Sequence, residues 1–252
     1  MDQQGVLLLM LRLLGILAVI QGIEFHCLRK YWSDDGIWRW VDLRSELHGF
    51  ELVLAGKSFL VLNWVRLLLG LVAIVQPSAG LAVALLVMHV LTLLRWRGSF
   101  NGGSDYMNLM LLLGVSAGLV FAHIPAVGWF CLWYMTLQLA LSYYRAGYVK
   151  VKNRQWRSGE ALGAFMGSPR YQQGPWSLAL LERPKVLKFA AWVVMIFELS
   201  FPLSLLGPNW ALAYMTVGFF FHLSNSYWLG LNRFFFAWLA AYPALYFAIP
   251  SF

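Results

Sequence analysis

The chain has 252 residues, of which 60% are hydrophobic and only 12% are charged. Soluble domains carry about 25% charged residues, so this composition excludes an ordinary soluble protein. The charged residues are also bunched into a few stretches, which leaves long apolar runs between them. The sequence therefore predicts an integral membrane protein with a single membrane domain over residues 1–252.

The net charge of +8 does not indicate nucleic-acid binding, because no nucleic-acid motif accompanies it. Basic residues in membrane proteins signal topology first of all. The two cysteines, Cys27 and Cys131, fix neither a disulfide framework nor a metal-site spacing. We interpret both as buried residues with only a packing role, and no metal site is predicted.

Eight stretches are long and apolar enough to cross a bilayer, which takes about 20 residues. In chain order they run from Gly5 to Ile23, Ser58 to Val75, Ser78 to Leu94, Tyr106 to Phe121, Val127 to Leu141, Val186 to Leu206, Trp210 to Tyr227 and Leu231 to Ile249. The predicted fold is an all-α, polytopic transmembrane helical bundle of about eight spans with additional interfacial amphipathic helices. Pro175 predicts one interfacial helix, over Trp176 to Leu181.

Basic residues are concentrated on one side of this topology. That side has two long interfacial loops, 24–57 and 142–185, and two shorter segments, 95–105 and the link near Gly230. It carries all but two of the 19 Lys and Arg residues, the exceptions being Arg12 and Arg66 inside predicted helices. The positive-inside rule makes this side cytoplasmic and places both termini outside, for a multi-pass protein of the cell (inner) membrane.

Polar side chains inside predicted spans are candidates for function, because placing them in lipid is costly. Most form pairs at helical offsets in the cytoplasmic half of their spans: Asn63 with Arg66, His89 with Thr92, Asp105 with Asn108, Gln138 with Ser142, and His222 with Asn225 and Ser226. A polar cavity that opens toward the basic loops would satisfy them. The alternative is that they only join helices, through hydrogen bonds worth about 0.6–2 kcal/mol each.

Glu198 and His222 are the strongest candidates for proton transfer, since burial tunes the proton affinity of acids and imidazoles. Pro202, four residues after Glu198, predicts a kinked helix with a free carbonyl at Glu198. Arg12 and Arg66 are interpreted as structural counter-ions, with Glu198 or Asp105 as partners.

A longer motif begins at Gln138 and reads Q-L-A-L-S-Y-Y-R-A-G-Y-V-K-V-K-N-R-Q-W-R-S-G-E-A-L. It resembles the central signature of the HTTM (horizontally transferred transmembrane) domain family, which includes the membrane part of vitamin K-dependent γ-carboxylase. Other stretches resemble further landmarks of the family in order: R-L-L-G at Arg12, Y-W-S-D-D-G at Tyr31, F-N-G-G-S-D at Phe100, F-E-L-S-F-P at Phe197 and F-H-L at Phe221. The resemblance extends from about Arg12 to Tyr246.

The resemblance implies a role for Lys150. In the carboxylase, a lysine shortly after the A-G dipeptide deprotonates a reduced vitamin K, and Lys150 is the matching position after Ala146 and Gly147. A lysine at a desolvated helix end can act as such a base, and the alternative is one more positive-inside anchor. We therefore take as catalytic candidates Lys150, Glu198 and His222, and as substrate-binding candidates Arg66, Asp105, Gln138, Arg145, Trp156 and Asn225.

The sequence also departs from the carboxylase. The carboxylase's histidine near F-N-G-G-S-D has no counterpart, since Ser104 and Asp105 occupy that region, and no stretch matches its large luminal portion. Compact relatives instead resemble bacterial membrane proteins that help to mature sporulation-delaying-type peptide toxins together with a small partner protein. The carboxylase acts in the lumen, whereas the charge distribution here places Lys150 on the cytoplasmic side.

The sequence thus favours a bacterial membrane enzyme or maturation factor that acts through Lys150 on a peptide or a quinone-like substrate, with a reduced quinone as the candidate cofactor. The alternative is a non-enzymatic membrane scaffold or a peptide-handling or export subunit. A transporter is less favoured, because no pair of broken helices recurs in two halves. The expected partners are the lipid bilayer, a peptide substrate and a small partner protein, and nucleic acid is not expected.

Overall fold

The computed structural model of the protein describes residues 2–33, 35–96, 102–168 and 179–249. Within these ranges the chain is helical, and no β-strand occurs among them. The all-α class predicted from the sequence is therefore confirmed. Half of the interfacial helix predicted over Trp176 to Leu181, residues 176–178, lies outside the described residues, whereas residues 179–181 are helical. The start of the landmark at Phe100 also lies outside them.

The α-helices below are those whose bounds lie within the described residues. In chain order they are α1 (Gln3–Cys27), α2 (Arg29–Trp32), α3 (Glu51–Leu54), α4 (Gly56–Val75), α5 (Ala79–Trp96), α6 (Gly102–Val120), α7 (Pro125–Lys152), α8 (Arg154–Ser158), α9 (Glu160–Met166), α10 (Pro184–Ser200), α11 (Pro208–Leu229) and α12 (Asn232–Ala248). Two 3₁₀ helices cover Trp40–Asp42 and Phe201–Leu206.

Five of the described helices are long and apolar enough to cross a membrane: α1, α4, α5, α6, and α10 with its extension to Leu206. At about 1.5 Å per residue, α1 is longer than the roughly 30 Å of a hydrocarbon core. The chain is a multi-pass membrane protein. The other three predicted spans fall within α7, α11 and α12, which do not meet the same criterion, so the count of about eight stays a prediction.

Helix α7 extends beyond the span predicted inside it. The apolar run ends near Leu141, but the helix continues to Lys152, so residues 142–152 are helical rather than the start of a loop. Lys150 and Lys152 lie in the last turn, where cations interact favourably with the helix dipole. The helix ends at Asn153, whose side chain accepts a hydrogen bond from the amide of Gln155 and caps α8. The predicted span ended with the apolar run at Leu141, whereas the helix itself continues to Lys152.

The break predicted at Pro202 is present. Helix α10 ends at Ser200, and the chain continues as the 3₁₀ helix that begins at Phe201. Pro202 has no N–H to donate to the carbonyl of Glu198, so the α-helical hydrogen-bond pattern cannot continue through it. The change of helix type begins at Phe201, whose ring stacks on Tyr143.

Internal contacts group the chain into two compact units, and each is described by itself. Unit 1 comprises Met1–Leu132 and Phe236–Ala244, and unit 2 comprises Trp133–Phe235 and Leu245–Phe252. The single membrane domain expected from the sequence remains a prediction.

In unit 1, helix α1 packs against α4 and α6, and α5 also packs against α4 and α6. Gly15 and Gly70 lie where α1 meets α4. A Cβ atom at Gly15 would be 2.7 Å from the carbonyl oxygen of Gly70, and one at Gly70 would be 2.9 Å from the oxygen of Gly15. Small residues thus bring these two backbones close together, as is common between membrane helices.

The segment between α1 and α4 is folded onto unit 1 rather than extended. Arg95 is 2% exposed and donates hydrogen bonds to the carbonyl oxygens of Trp32 and Trp38. Around it lies an aromatic and aliphatic core of Phe25, Trp32, Trp40, Leu54, Phe59, Leu62 and Trp96. Cys27 ends α1 and is exposed, so the prediction that both cysteines are buried is wrong for Cys27 and confirmed for Cys131.

In unit 2, helices α8 and α9 pack against α10, and α11 packs against the 3₁₀ helix Phe201–Leu206. Gly159 joins α8 to α9 with φ of 88°, a left-handed conformation that favours glycine. A Cβ atom there would lie 2.6 Å from the backbone nitrogen of Lys188. This turn therefore holds α8 close to the start of α10.

Candidate functional site

The three residues predicted to be catalytic lie on three helices of unit 2. Lys150 is in the last turn of α7, Glu198 is near the end of α10, and His222 is on α11. Tyr143, Gly147 and Lys150 follow each other at offsets of four and three residues, so they share one face of α7. This face carries the polar contacts of the candidate site.

Lys150 and Glu198 form an ion pair between α7 and α10. The Nζ atom of Lys150 donates to both carboxylate oxygens of Glu198, at 2.6 and 2.7 Å. The Glu198 side chain is only 4% exposed, whereas that of Lys150 is 20% exposed. The carboxylate is therefore shielded from solvent, while part of the lysine side chain stays accessible to another molecule.

Gly147 allows this ion pair to form. A Cβ atom at Gly147 would lie 2.8 Å from the backbone nitrogen of Leu199 and 2.9 Å from the Cβ atom of Glu198. Real Cβ atoms essentially never approach backbone so closely, so any side chain here would move α7 and α10 apart. The hydrogen-bond geometry between Lys150 and Glu198 depends on this close approach.

A second polar contact lies on the same face of α7. The hydroxyl of Tyr143 and the Nε2 atom of His222 are hydrogen-bonded at 2.8 Å, and both residues are buried. The ring of Tyr143 stacks on Phe201, with centroids 3.9 Å apart. The structure thus pairs Lys150 with Glu198 and Tyr143 with His222, and both pairs involve the same face of α7.

Trp156 provides an aromatic surface beside Lys150. Its ring centroid lies 5.2 Å from the Lys150 Nζ atom, within the range of a cation–π interaction. Trp156 is on α8, directly after the Asn153 cap, and it is half-buried against Phe165. Of the residues predicted to bind substrate, Trp156 is the one that contacts the Lys150 ammonium.

Three other substrate-binding candidates in unit 2 make no described contact with the ion pair. Arg145 is exposed on α7, and Gln138 is half-buried on the same helix. Asn225 is half-buried on α11, and its carbonyl accepts hydrogen bonds from the backbone after the helix end, including Leu231 at 3.3 Å. Their role in substrate binding stays a prediction.

The two remaining candidates, Arg66 and Asp105, belong to a polar network in unit 1. Arg66 donates to the Oε1 atom of Gln21, and Gln21 donates to Asp105 at 3.2 Å. Arg66 also donates to Nδ1 of His89 at 3.3 Å, and His89 donates from Nε2 to the Asp105 carbonyl at 2.8 Å. Arg66 is thus connected to Asp105 through Gln21, and its role as a structural counter-ion stays a prediction. Arg12 donates to the carbonyl of Ile74 instead of a predicted carboxylate.

Three important positions were not among the predicted site residues. Gln21 is a lone amide within the apolar run of α1, and its polarity was the available signal. Tyr143 and Gly147 lie inside the motif that begins at Gln138, on the same helical face as Lys150. Helical offsets counted back from Lys150 would have found both.

The arrangement in unit 2 is suited to proton transfer. It combines an amine, a carboxyl group, a phenol and an imidazole, and each of these can both donate and accept a proton. No group of three His, Cys, Asp or Glu residues that could hold a metal ion occurs in the part of the chain that the structure describes.

Removing one member of the ion pair should cost more stability than removing both. In Lys150→Met the Glu198 carboxylate stays buried without its ammonium, which costs about 3–5 kcal/mol. The double variant Lys150→Met/Glu198→Leu should recover most of that loss, because no buried charge remains. Thermal unfolding of the purified protein in detergent measures the difference.

Lys152→Met is the matched control for this cycle, because Lys152 is exposed and contacts the ring of Tyr148. It should change the free energy of unfolding by less than about 1 kcal/mol. A double variant that loses the sum of the two single losses would contradict a direct pair.

Comparison with known families agrees with the motif that begins at Gln138. The family model of the HTTM domain matches residues 118–249, which is more than half of the chain. The match includes Lys150, Glu198 and His222, and it begins after the landmarks at Arg12, Tyr31 and Phe100. Searches of curated proteins and of solved structures found no match. The chain belongs to the HTTM domain family, and it is an all-helical, multi-pass membrane protein of that family.

Proposed function

We propose that this protein is a membrane enzyme in which Lys150 accepts a proton from a peptide or a quinone-like substrate, with Glu198 and His222 assisting the transfer. One observation carries the proposal: both carboxylate oxygens of the buried Glu198 hold the partly accessible amine of Lys150. The resemblance of this lysine to the base of the carboxylase supports the same role.

A proton can move between Lys150 and Glu198 without changing the total charge of the pair. In one form it is an ammonium and a carboxylate, and after one transfer along the hydrogen bond it is an amine and a carboxylic acid. The amine form has a lone pair that can take a proton from a substrate O–H or C–H bond. The resulting ammonium is stabilised once Glu198 has returned its own proton to another acceptor.

Tyr143 and His222 supply a second pair through which a proton can move. Their hydrogen bond of 2.8 Å is buried, and Tyr143 lies on the face of α7 that carries Lys150. In the proposed relay, a proton released on Glu198 or Lys150 passes on to the His222 imidazole, while Tyr143 keeps the ring oriented. We assign Tyr143 as a positioning residue and His222 as the proton relay.

The surroundings of Lys150 fit an aromatic substrate. Trp156 presents a half-buried ring 5.2 Å from Nζ, and the Lys150 side chain is 20% exposed. A planar ring stacked on Trp156 would place a hydroxyl group within reach of the amine. A reduced quinone held there would supply an acidic hydroxyl group and two electrons. The residues of this chain would orient it and receive its proton.

The positive charges at the same end of α7 are suited to a peptide substrate that carries negative charge. Arg145 and Lys152 on α7 and Arg154 and Arg157 on α8 are all exposed. Together they favour acidic side chains or a carboxyl terminus near Lys150. We propose that such a peptide is presented with the help of a small partner protein, as in the compact relatives that the motif resembles.

We further propose that α7, α11 and α12 also cross the membrane, which gives eight spans, both termini outside and the basic segments in the cytoplasm of a bacterial cell. The concentration of Lys and Arg on one side of the span list supports this orientation. It places Lys150 at the cytoplasmic end of α7.

The chemical role of Lys150 is tested by Lys150→Arg. Arginine keeps the positive charge and can bind Glu198, but it does not give up its proton in proteins. We expect the covalent change in the peptide substrate to fall at least about a hundredfold, as when a general base is removed. Mass spectrometry of peptides from cells that express each variant measures the change.

Lys152→Arg is the control, since Lys152 lies two residues away and should retain full activity. Unchanged peptide processing in a folded, inserted Lys150→Arg protein would show that charge alone suffices. A copurified partner whose peptides show no covalent change with the wild-type protein would favour the alternative of a non-enzymatic scaffold or export subunit.

The proposed orientation predicts a labelling pattern. In a protein with Cys27→Ser, a cysteine at Glu160 should react with membrane-permeant maleimides but not with impermeant maleimides added to intact cells. A cysteine at His123, in the turn before α7, should react with both, and both positions are exposed. Labelling of the Glu160 position by the impermeant reagent would reverse the orientation.

A further inference from the structure

A cavity in unit 1 is lined by basic side chains and lies apart from the polar network around Arg66. It has a volume of about 360 Å³, within the range of about 300–1,000 Å³ that is usual for small-ligand sites. It lies between α1–α2 and the start of α4. Its lining includes Arg29, Lys30 and Lys57, with Trp32, Ser33 and Leu60.

The charge of this cavity is one-sided. Arg29, Lys30 and Lys57 are all exposed, and none of the described residues that line the cavity is acidic. The guanidinium of Arg29 donates to Nε2 of His26 at 3.2 Å, a contact with an uncharged acceptor that orients the group without neutralising it. Three cations around one opening favour a ligand with negative charge.

The position of the cavity matches the headgroup region of a bilayer. Helices α1 and α4 are both long and apolar enough to span a membrane. The cavity lies just after the end of α1 and at the beginning of α4, where two such spans leave the hydrocarbon. Basic side chains at this level commonly meet the phosphates of lipids.

An apolar surface continues from the cavity along α4. Val61, Trp64 and Leu68 follow Lys57 at offsets of four, seven and eleven residues, so they lie on the same face of the helix. They are 60%, 45% and 57% exposed. An acyl chain lying on this face would begin beside Lys57, below a phosphate held in the cavity.

We propose that this cavity binds the phosphate of an anionic membrane phospholipid. Arg29, Lys30 and Lys57 contact the headgroup, and the acyl chains lie along Val61, Trp64 and Leu68. The continuity of the cationic cavity with the apolar face favours a lipid over a free phosphate ion, which would use only the cationic part. The proposal rests on unit 1 alone and does not depend on the chemistry of Lys150.

The test is lipid retention by the purified full-length protein, measured by native mass spectrometry. Wild-type protein should retain phosphatidylglycerol in preference to phosphatidylcholine with the same acyl chains. Each exposed cation near a lipid surface contributes about a fivefold change in binding. We therefore expect Arg29→Gln/Lys30→Gln/Lys57→Gln to weaken phosphatidylglycerol binding by about a hundredfold, and Lys57→Gln alone by about fivefold.

Arg44→Gln is the matched control, because Arg44 is an exposed arginine of the same segment that does not line the cavity. It should leave lipid retention unchanged. Trp64→Ala should weaken binding of long-chain phosphatidylglycerol but not of its dihexanoyl form. If the triple variant fails to fold, Lys57→Gln decides the question.

Two results would overturn the proposal. One is equal retention of phosphatidylglycerol and phosphatidylcholine by the wild-type protein, or retention that Lys57→Gln does not change. The other is competition by millimolar inorganic phosphate that removes the lipid preference, which would indicate a site for a soluble phosphate. Retention that fails while peptide processing continues would leave the proposed function of unit 2 intact.

Discussion

The contact between Lys150 and Glu198 depends on how closely α7 and α10 approach. Gly147 leaves no side chain between them, and a Cβ atom there would lie 2.8 Å from the backbone of Leu199. This approach lets a lysine near the helix end reach a carboxylate that is almost completely buried. Tyr143, one turn earlier on the same face, then meets His222. The site is a consequence of helix packing, and the proton chemistry proposed for it follows from which side chains that packing brings together.

In unit 1, helix packing also brings polar side chains together, but there they form a network that joins the helices. A bilayer offers no hydrogen-bond partners, so polar side chains within apolar helices must satisfy each other. Arg66, Gln21, His89 and Asp105 do so through reciprocal hydrogen bonds that link four helices. In unit 2 the Lys150 side chain keeps partial access to its surroundings and has an aromatic ring beside it. The candidate reaction site in unit 2 differs from the helix-joining network in unit 1 mainly because the Lys150 side chain is accessible to another molecule.

The helical class and the break at Pro202 could be predicted from the sequence, and so could the pairing candidates Lys150 and Glu198, although the catalytic roles of Lys150, Glu198 and His222 stay predictions. Each of these features can be read from a short stretch of sequence, through apolar length, the chemistry of proline or a specific motif. The role of Gly147 could not be predicted in the same way, because it depends on which helix packs against α7. The bond from Gln21 to Asp105 joins residues 84 positions apart, so no local pattern reports it. The continuation of α7 to Lys152 could not be predicted from hydropathy. Hydropathy indicates which residues suit a lipid environment, and it does not indicate where a helix ends.

Lys150 and Glu198 are directly paired because Gly147 lets α7 and α10 approach. Solid-state NMR of the protein in lipid bilayers can measure the dipolar coupling between the ¹⁵N-labelled Nζ of Lys150, identified by its absence in Lys150→Arg, and the ¹³C-labelled carboxyl carbon of Glu198. The nitrogen–oxygen distances of 2.6 and 2.7 Å predict a strong coupling in the wild-type protein and a much weaker one in Gly147→Ala. No detectable coupling in the wild-type protein, or an unchanged coupling in Gly147→Ala, would contradict the account.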